Sequence, residues 1–210
     1  MTKVILLRHG QTEWNILGKY QGKTDVPLSA EGKAQARQLA EHFPVSAVDA
    51  VYSSDLSRAA FTAKCIAEKF NLPVNLEPQF REIDFGEWEG LSFKEIAARY
   101  PYAADGQFWQ KPDEITIPGG ETFAALQTRA MTRLNEIIAA ADGKTIAVAA
   151  HGAINRVILA EALHMNLRYV WSIRQFNTAV NIIVYDGVWR TVELINGTAH
   201  LTTGEHKEKT

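Results

Sequence analysis

Two short runs, Val4 to Leu7 and Thr145 to Ala150, are apolar at nearly every position instead of at every second one. A strand with one wet face alternates, whereas a strand covered on both faces does not, so such runs demand packed layers above and below them. The stretches between them supply that cover. Ser29 is placed to cap a helix whose apolar residues Ala36, Leu39, Ala40 and Phe43 recur at i, i+3, i+4 and i+7. Val48 to Tyr52 reads as a second strand, Leu56, Ala59, Ala63, Ile66 and Phe70 mark a second amphipathic helix, and Val74 to Leu76 is a short strand candidate. Past Gly119-Gly120 a long helix presents Phe123, Leu126, Ala130, Leu134, Ile137 and Ala141 on one face, and a further helix runs from about Ile154 to Leu163. Two β-rich runs flank Asp186-Gly187, a hairpin signal. The expected fold class is therefore α/β: a three-layer α/β/α sandwich with a mainly parallel sheet and an antiparallel hairpin near its end. One domain over 1–210 is expected, with no internal repeat or linker, and the polar tail Thr202 to Thr210 is expected to fray.

Composition narrows the function classes. A formal net charge of -2 argues against a general nucleic-acid or membrane-surface binder, so any attraction for phosphate has to be local. The one cysteine, Cys65, excludes an intrachain disulfide and leaves no cluster for a structural zinc; it falls on the apolar side of a helix, where buried packing is expected. The start of the chain has no signal-type pattern and no apolar run could span a bilayer, so a cytoplasmic protein is expected. Asn196-Gly197-Thr198 fits the glycosylation pattern and is read as incidental.

Charge instead gathers where strands end. Arg8-His9-Gly10 follows the first apolar run, Ser53-Ser54-Asp55-Leu56-Ser57-Arg58 follows the second strand, and His151-Gly152 follows Thr145 to Ala150 and opens a helix. If these strands are parallel, all three turns face one sheet edge, where helix N-termini add backbone donors for an anion. Arginine suits a phosphate because it keeps its proton and its fork matches two oxygens. Each residue also has a plain reading. Arg58 could pair with Asp55, His151 could be a satisfied imidazole in a turn, and Glu82 could pair with Arg81, with Asp84, Glu87 and Glu89 as competing carboxylates. Pro118-Gly119-Gly120-Glu121-Thr122 lacks the spacing and the Lys-Ser/Thr ending of a nucleotide phosphate loop and reads as a turn into the next helix.

In order along the chain, Arg8-His9-Gly10-x-Thr12-x-x-Asn15, Ser53-Ser54-Asp55-Leu56-x-Arg58, Arg81-Glu82-Ile83-x-Phe85-Gly86-x-Trp88-Glu89-Gly90, Pro118-Gly119-Gly120-Glu121 and His151-Gly152 resemble the blocks of the histidine phosphatase superfamily, also called the phosphoglycerate mutase-like family. Within it the chain is similar to the phosphatase branch, including α-ribazole-phosphate phosphatases and cofactor-independent phosphoserine phosphatases. The resemblance implies that His9 attacks phosphorus and forms a phosphohistidine, and that Arg8, Arg58 and His151 surround the phosphoryl oxygens. It further implies Asn15, Gln21 and Gly152 as phosphate or substrate ligands, and Glu82 as the acid that protonates the leaving oxygen and then activates water. No metal and no cofactor are implied. The chemistry is coherent with the residues: neighbouring arginines disfavour an imidazolium, and the aromatic stretch from Phe85 to Trp88 could desolvate Glu82 and so raise its pKa for acid catalysis.

A lid that chooses substrate is expected at about 83–118, where Phe93, Tyr100, Tyr102, Phe108 and Trp109 serve either as a small core or as ligand contacts; Trp171 and Phe176 read as core. From Ile83 to Glu114 the bases Lys94, Arg99 and Lys111 are outnumbered by acids, and the adjacent arginine pair that the mutases of this family place there is missing, as is their longer insertion. A metal-independent phosphomonoesterase acting on a small-molecule phosphate ester is therefore favoured over a phosphoglycerate mutase and over a non-catalytic phospholigand-binding domain. The substrate stays open between α-ribazole 5′-phosphate, phosphoserine and others. The oligomeric state stays open as well, a homodimer included.

Overall fold

The computed structural model describes residues 1–104 and 106–201; the tail expected to fray lies outside the described residues. The strands are β1 (Thr2–Arg8), β2 (Ala50–Ser53), β3 (Val74–Leu76), β4 (Thr145–Ala150), β5 (Val180–Asp186) and β6 (Trp189–Gly197). The helices are α1 (Glu13–Ile16), α2 (Ala30–Glu41), α3 (Ser57–Phe70), α4 (Phe93–Arg99), α5 (Pro101–Ala104), α6 (Gln107–Gln110), α7 (Phe123–Ala140) and α8 (Gly152–Ala162). The six strands form one sheet in the order β3-β2-β4-β1-β5-β6. β3, β2, β4 and β1 run parallel, and β5 and β6 add on antiparallel beside β1.

The unbroken apolar runs resolve into two faces. Val4 and Leu6 of β1, with Ile146, Val148 and Ala150 of β4, pack with α7 and α8, whereas Ile5, Leu7, Ala147 and Ala149 pack with α2 and α3. A strand side chain alternates its face at each step, so a two-sided core requires apolar residues at both parities. Ser29 caps α2 by accepting from Gly32 N–H at 3.0 Å, and Thr122 caps α7 through Ala125 N–H at 3.1 Å. The latter makes the Pro118-Gly119-Gly120 stretch the turn that the sequence suggested. Close backbone approach fixes Gly10: a Cβ there would lie 2.3 Å from the carbonyl oxygen of Gly32 in the first turn of α2.

Boundaries differ from the sequence expectations in small ways. β2 starts at Ala50, since Asp49 N–H already bonds Thr145 O at 2.8 Å ahead of the regular ladder, and α8 starts two residues early at Gly152. The hairpin loop is Gly187-Val188, with Gly187 at a φ of 59° in the first loop position, because Asp186 itself pairs with Trp189. Cys65 is half-buried, not buried as expected: it lies at the edge of the α2–α3 core, beside Arg37, Phe61 and Glu68 at the surface.

Candidate active site

Register puts the three charged turns level. Arg8 lies opposite Ala150 across β1 and β4, and His9 N–H extends that ladder to Ala150 O at 3.1 Å. On the other side of β4, Ser53 lies opposite Ala149 and Ser54 N–H bonds Ala149 O at 3.0 Å. The chain therefore leaves the sheet at one edge three times within adjacent strands. A cavity of about 310 Å³ opens there, lined by Arg8, His9, Asn15, Gln21, Arg58, Glu82 and Gly152 among others. Seven of the eight residues selected from the sequence line it. The eighth, His151, sits directly behind, its ring centroid 5.1 Å from that of His9.

His9 is buried and clamped through its own peptide: its carbonyl accepts from Asn177 Nδ2 at 3.1 Å and from Thr178 N–H at 3.2 Å. Its Nδ1 lies 2.7 Å from Gly10 O. A carbonyl can only accept, so Nδ1 carries the proton and the lone pair of the neutral ring belongs to Nε2. Burial first, then the charges of Arg58 and Arg8, hold the imidazole well below its ordinary range, against a smaller opposing effect of the Gly10 bond. The site thus keeps a neutral imidazole with a usable lone pair near neutral pH.

Arg58 has no solvent exposure, and its donors go to neutral acceptors: Nε to His151 Nδ1 at 3.2 Å, and the two terminal nitrogens to Thr24 O at 2.8 Å and Gly22 O at 2.7 Å. Burial brings it down to about 10, opposed by Glu82 and Asp25, so it is a full cation in physiological buffer. Asp55 is not its partner. Asp55 instead takes a two-pronged bond from Arg81, at 2.7 and 2.5 Å, which also removes Arg81 as a partner for Glu82. That one ion pair answers both plain readings and leaves Arg58 and Glu82 to the cavity.

Glu82 is set on the start of α8. Its Oε1 accepts from Ile83, Ala153 and Ile154 N–H at 3.0, 3.1 and 3.1 Å, and Oε2 accepts from Ala153 N–H at 3.1 Å. The expected aromatic surround is only partly realised: Phe85 lines the cavity, but Trp88 is buried in the core. Helix-end amides, not an aromatic box, hold this carboxyl. Arg8 donates to Gln175 O at 2.5 Å. Asn15 Oδ1 accepts from Thr12 N–H at 3.0 Å, and Gln21 Oε1 accepts from the Thr12 hydroxyl at 2.9 Å. With both amide oxygens engaged on Thr12, the two side chains retain NH₂ donors, the polarity an anion requires.

Other lining residues escaped sequence reading: Lys19, Tyr20 and Arg156. Arg156 had a usable signal, since it lies four residues past Gly152 and hence on the same side of α8. Trp171, read as core, is half-buried in the cavity wall. The lid aromatics divide: Phe108 is fully buried, whereas Phe93 and Trp109 line the cavity. Among the described residues there is no group of three or more His, Cys, Asp or Glu that could hold a metal ion, and no helix is long and apolar enough to cross a membrane.

Comparison with known proteins identifies the family and the fold. The profile of the histidine phosphatase superfamily (branch 1) matches residues 4–198. Phosphoserine phosphatase 1 of Hydrogenobacter thermophilus is 35% identical over 202 residues, which is 96% of this chain and 95% of that protein. Among solved structures, Bacillus stearothermophilus YhfR matches with a TM-score of 0.89 at 31% identity, over 95% of this chain and 99% of that one. A phosphoserine phosphatase mutant from Entamoeba histolytica, in complex with phosphoserine, matches with a TM-score of 0.86 at 30% identity, over 96% of this chain and 100% of that one.

Proposed function

Since the chain belongs to the histidine phosphatase superfamily and is a phosphatase, we propose that it hydrolyses a small phosphomonoester through a phosphohistidine on His9, with O-phosphoserine the favoured substrate. The observation that carries this reading is the bond from His9 Nδ1 to Gly10 O inside an arginine-lined cavity, which leaves the ring lone pair on Nε2. In the first step the Nε2 lone pair bonds to phosphorus, and the bond from phosphorus to the ester oxygen breaks. That oxygen keeps the electron pair and takes a proton from Glu82, leaving as the alcohol. In the second step Glu82 takes a proton from water, the water oxygen bonds to phosphorus, and the electrons of the N–P bond return to His9. Orthophosphate then departs. Arg8, Arg58 and His151, helped by Asn15, Gln21 and the amide end of α8 at Gly152, stabilise the charge on the equatorial oxygens in both transition states.

In this reading residues 83–118 select substrate within a single catalytic domain, as Phe93 and Trp109 on the cavity wall suggest. Phosphoserine is favoured by two of the similar proteins, which carry that name, and by the cations that join the phosphate ligands in the cavity. The test is a brief reaction with ³²P-labelled O-phosphoserine followed by denaturation. An acid-labile, base-stable phosphoprotein is expected from the wild type and none from His9→Ala. Equal labelling of both would remove His9 as nucleophile.

A further inference from the structure

The steps above use Arg8, His9, Arg58, Glu82 and His151 and give no part to another guanidinium in the same cavity. Arg156 is held on two sides. Its Nε donates to Ile173 O at 2.7 Å, and its Cζ lies 5.0 Å over the Trp171 ring. Trp171 is itself fixed, with Nε1 donating to Phe108 O at 2.9 Å and its ring packed at 5.0 Å from both Phe108 and Trp109. A guanidinium restrained in this way has surrendered much of its rotamer freedom before any ligand arrives, so a bond it makes to substrate costs less ordering. Its location is specific too. Arg156 NH1 lies 3.1 Å from the point that a Cβ on Gly152 would occupy, and Glu82 Oε2 and Arg8 Nε lie 3.6 and 3.7 Å from that same point. Arg156 therefore reaches the start of α8 beside both Glu82 and Arg8, and with Glu82 as the proposed acid it is placed to meet the leaving alcohol.

We infer that Arg156, seated on Trp171, is a specificity-determining residue that binds a carboxylate carried on the carbons next to the ester oxygen. The inference rests on the phosphatase reading and adds the part of the site that recognises the leaving alcohol. Lys19, also on the cavity wall, reinforces the positive field there. The scarcity of bases between Ile83 and Glu114 does not oppose it, because α8 lies outside that span. A role confined to orienting Glu82 would predict something different: loss of Arg156 would then slow every substrate alike.

O-phosphoserine and phosphoethanolamine differ only in the carboxylate, and p-nitrophenyl phosphate reports the phosphoryl chemistry itself. Wild type should prefer O-phosphoserine to phosphoethanolamine by about tenfold or more in kcat/KM. Arg156→Met keeps an apolar stem on Trp171 but no charge. It should lose a factor of about thirty on O-phosphoserine, mostly in KM, the scale of one charge-assisted hydrogen bond. On the other two esters it should change by less than about threefold on the same scale of reasoning. Arg156→Lys, which restores the charge without the fork, should recover part of the loss on O-phosphoserine only. An equal loss on all three esters, or a wild type indifferent to the carboxylate, would overturn the inference while leaving the phosphatase reading intact. Turnover of none of the three by wild type would instead bring down the phosphatase reading.

Discussion

Arg58 Nε donates to Nδ1 of His151 across 3.2 Å, and this bond decides which nitrogen of a fully buried imidazole carries the proton. Nδ1 must accept, so the proton sits on Nε2, a buried donor with no hydrogen-bond partner among the described residues. Burial first, then the charge of Arg58, depresses the pKa of His151, so it stays a neutral donor, its ring centroid 5.1 Å from that of His9. Arg58→Ala should accordingly lower kcat/KM by about a hundredfold or more, through loss of a transition-state charge and of the bond that sets the tautomer. Arg58→Lys should recover little, because an ammonium cannot reach His151, Gly22 and Thr24 in the geometry of a planar fork. Rapid-quench single turnovers measure this directly, and near-normal rates in the lysine variant would reduce Arg58 to a simple charge.

Acid should weaken both activity and the fold below the ordinary histidine range. His9 and His151 have folded-state values well below 6.5, so between that value and the folded one the unfolded chain binds more protons than the native protein. Their contribution to stability is therefore fully present above about 6.5 and is lost as pH falls through the folded values. Urea titrations across this range should show the midpoint falling on acidification, and His9→Ala should flatten that slope. The profile of kcat/KM should show no loss centred at 6.5; a limb there would mean that His9 titrates as an ordinary exposed imidazole.

Glu82→Gln should slow hydrolysis of an alkyl phosphate far more than that of p-nitrophenyl phosphate, whose leaving oxygen needs less protonation. Competition between the two esters in one reaction gives the ratio. An equal loss on both would place the role of Glu82 in phosphoenzyme hydrolysis or in binding.

Glu89 holds the loop that orients Arg58. Its carboxylate accepts from Lys23 N–H at 2.8 Å, Thr24 N–H at 2.9 Å, the Thr24 hydroxyl and Phe85 N–H at 3.3 Å, while the carbonyls of Gly22 and Thr24 hold Arg58. Glu89→Ala should cost about 1–3 kcal/mol of stability and lower kcat about tenfold by loosening that loop. Denaturant titration and steady-state kinetics on the same preparation check both. Full activity with reduced stability would limit Glu89 to folding.

With 3-phosphoglycerate, release of phosphate should exceed conversion to 2-phosphoglycerate even when a bisphosphoglycerate primer is present, and prolonged chelation should leave the rate unchanged. Phosphorus NMR follows both products in one tube. Rapid primer-dependent interconversion would instead show that the phosphoenzyme returns its phosphate to substrate.

The layering of the fold and the common edge for the charged turns were legible in the sequence. Which face a residue such as Val4 or Ile5 presents depends on backbone period alone, so Val4 to Leu7 and Thr145 to Ala150 announced a sheet covered on both sides. Parallel strands then had to deliver Arg8-His9, Ser54-Asp55 and His151-Gly152 to a common edge. Glu82 was singled out from Asp84, Glu87 and Glu89 only by the resemblance to the family's motif block. What packing alone decided was the choice of partners. Asp55 takes Arg81 and not Arg58, Glu82 takes the amides of α8 and not Arg81, and the cavity wall takes Arg156 from the helix expected from Ile154 to Leu163 and Trp171, expected in the core. Local periodicity reports burial because it involves neighbours two to four residues away. An ion pair such as Arg81 with Asp55 joins residues 26 apart, and its formation depends on how two loops approach once the sheet and helices have closed over the core. Cys65 shows the same limit: its helix face was readable, but how far that face is covered depends on the neighbouring helix.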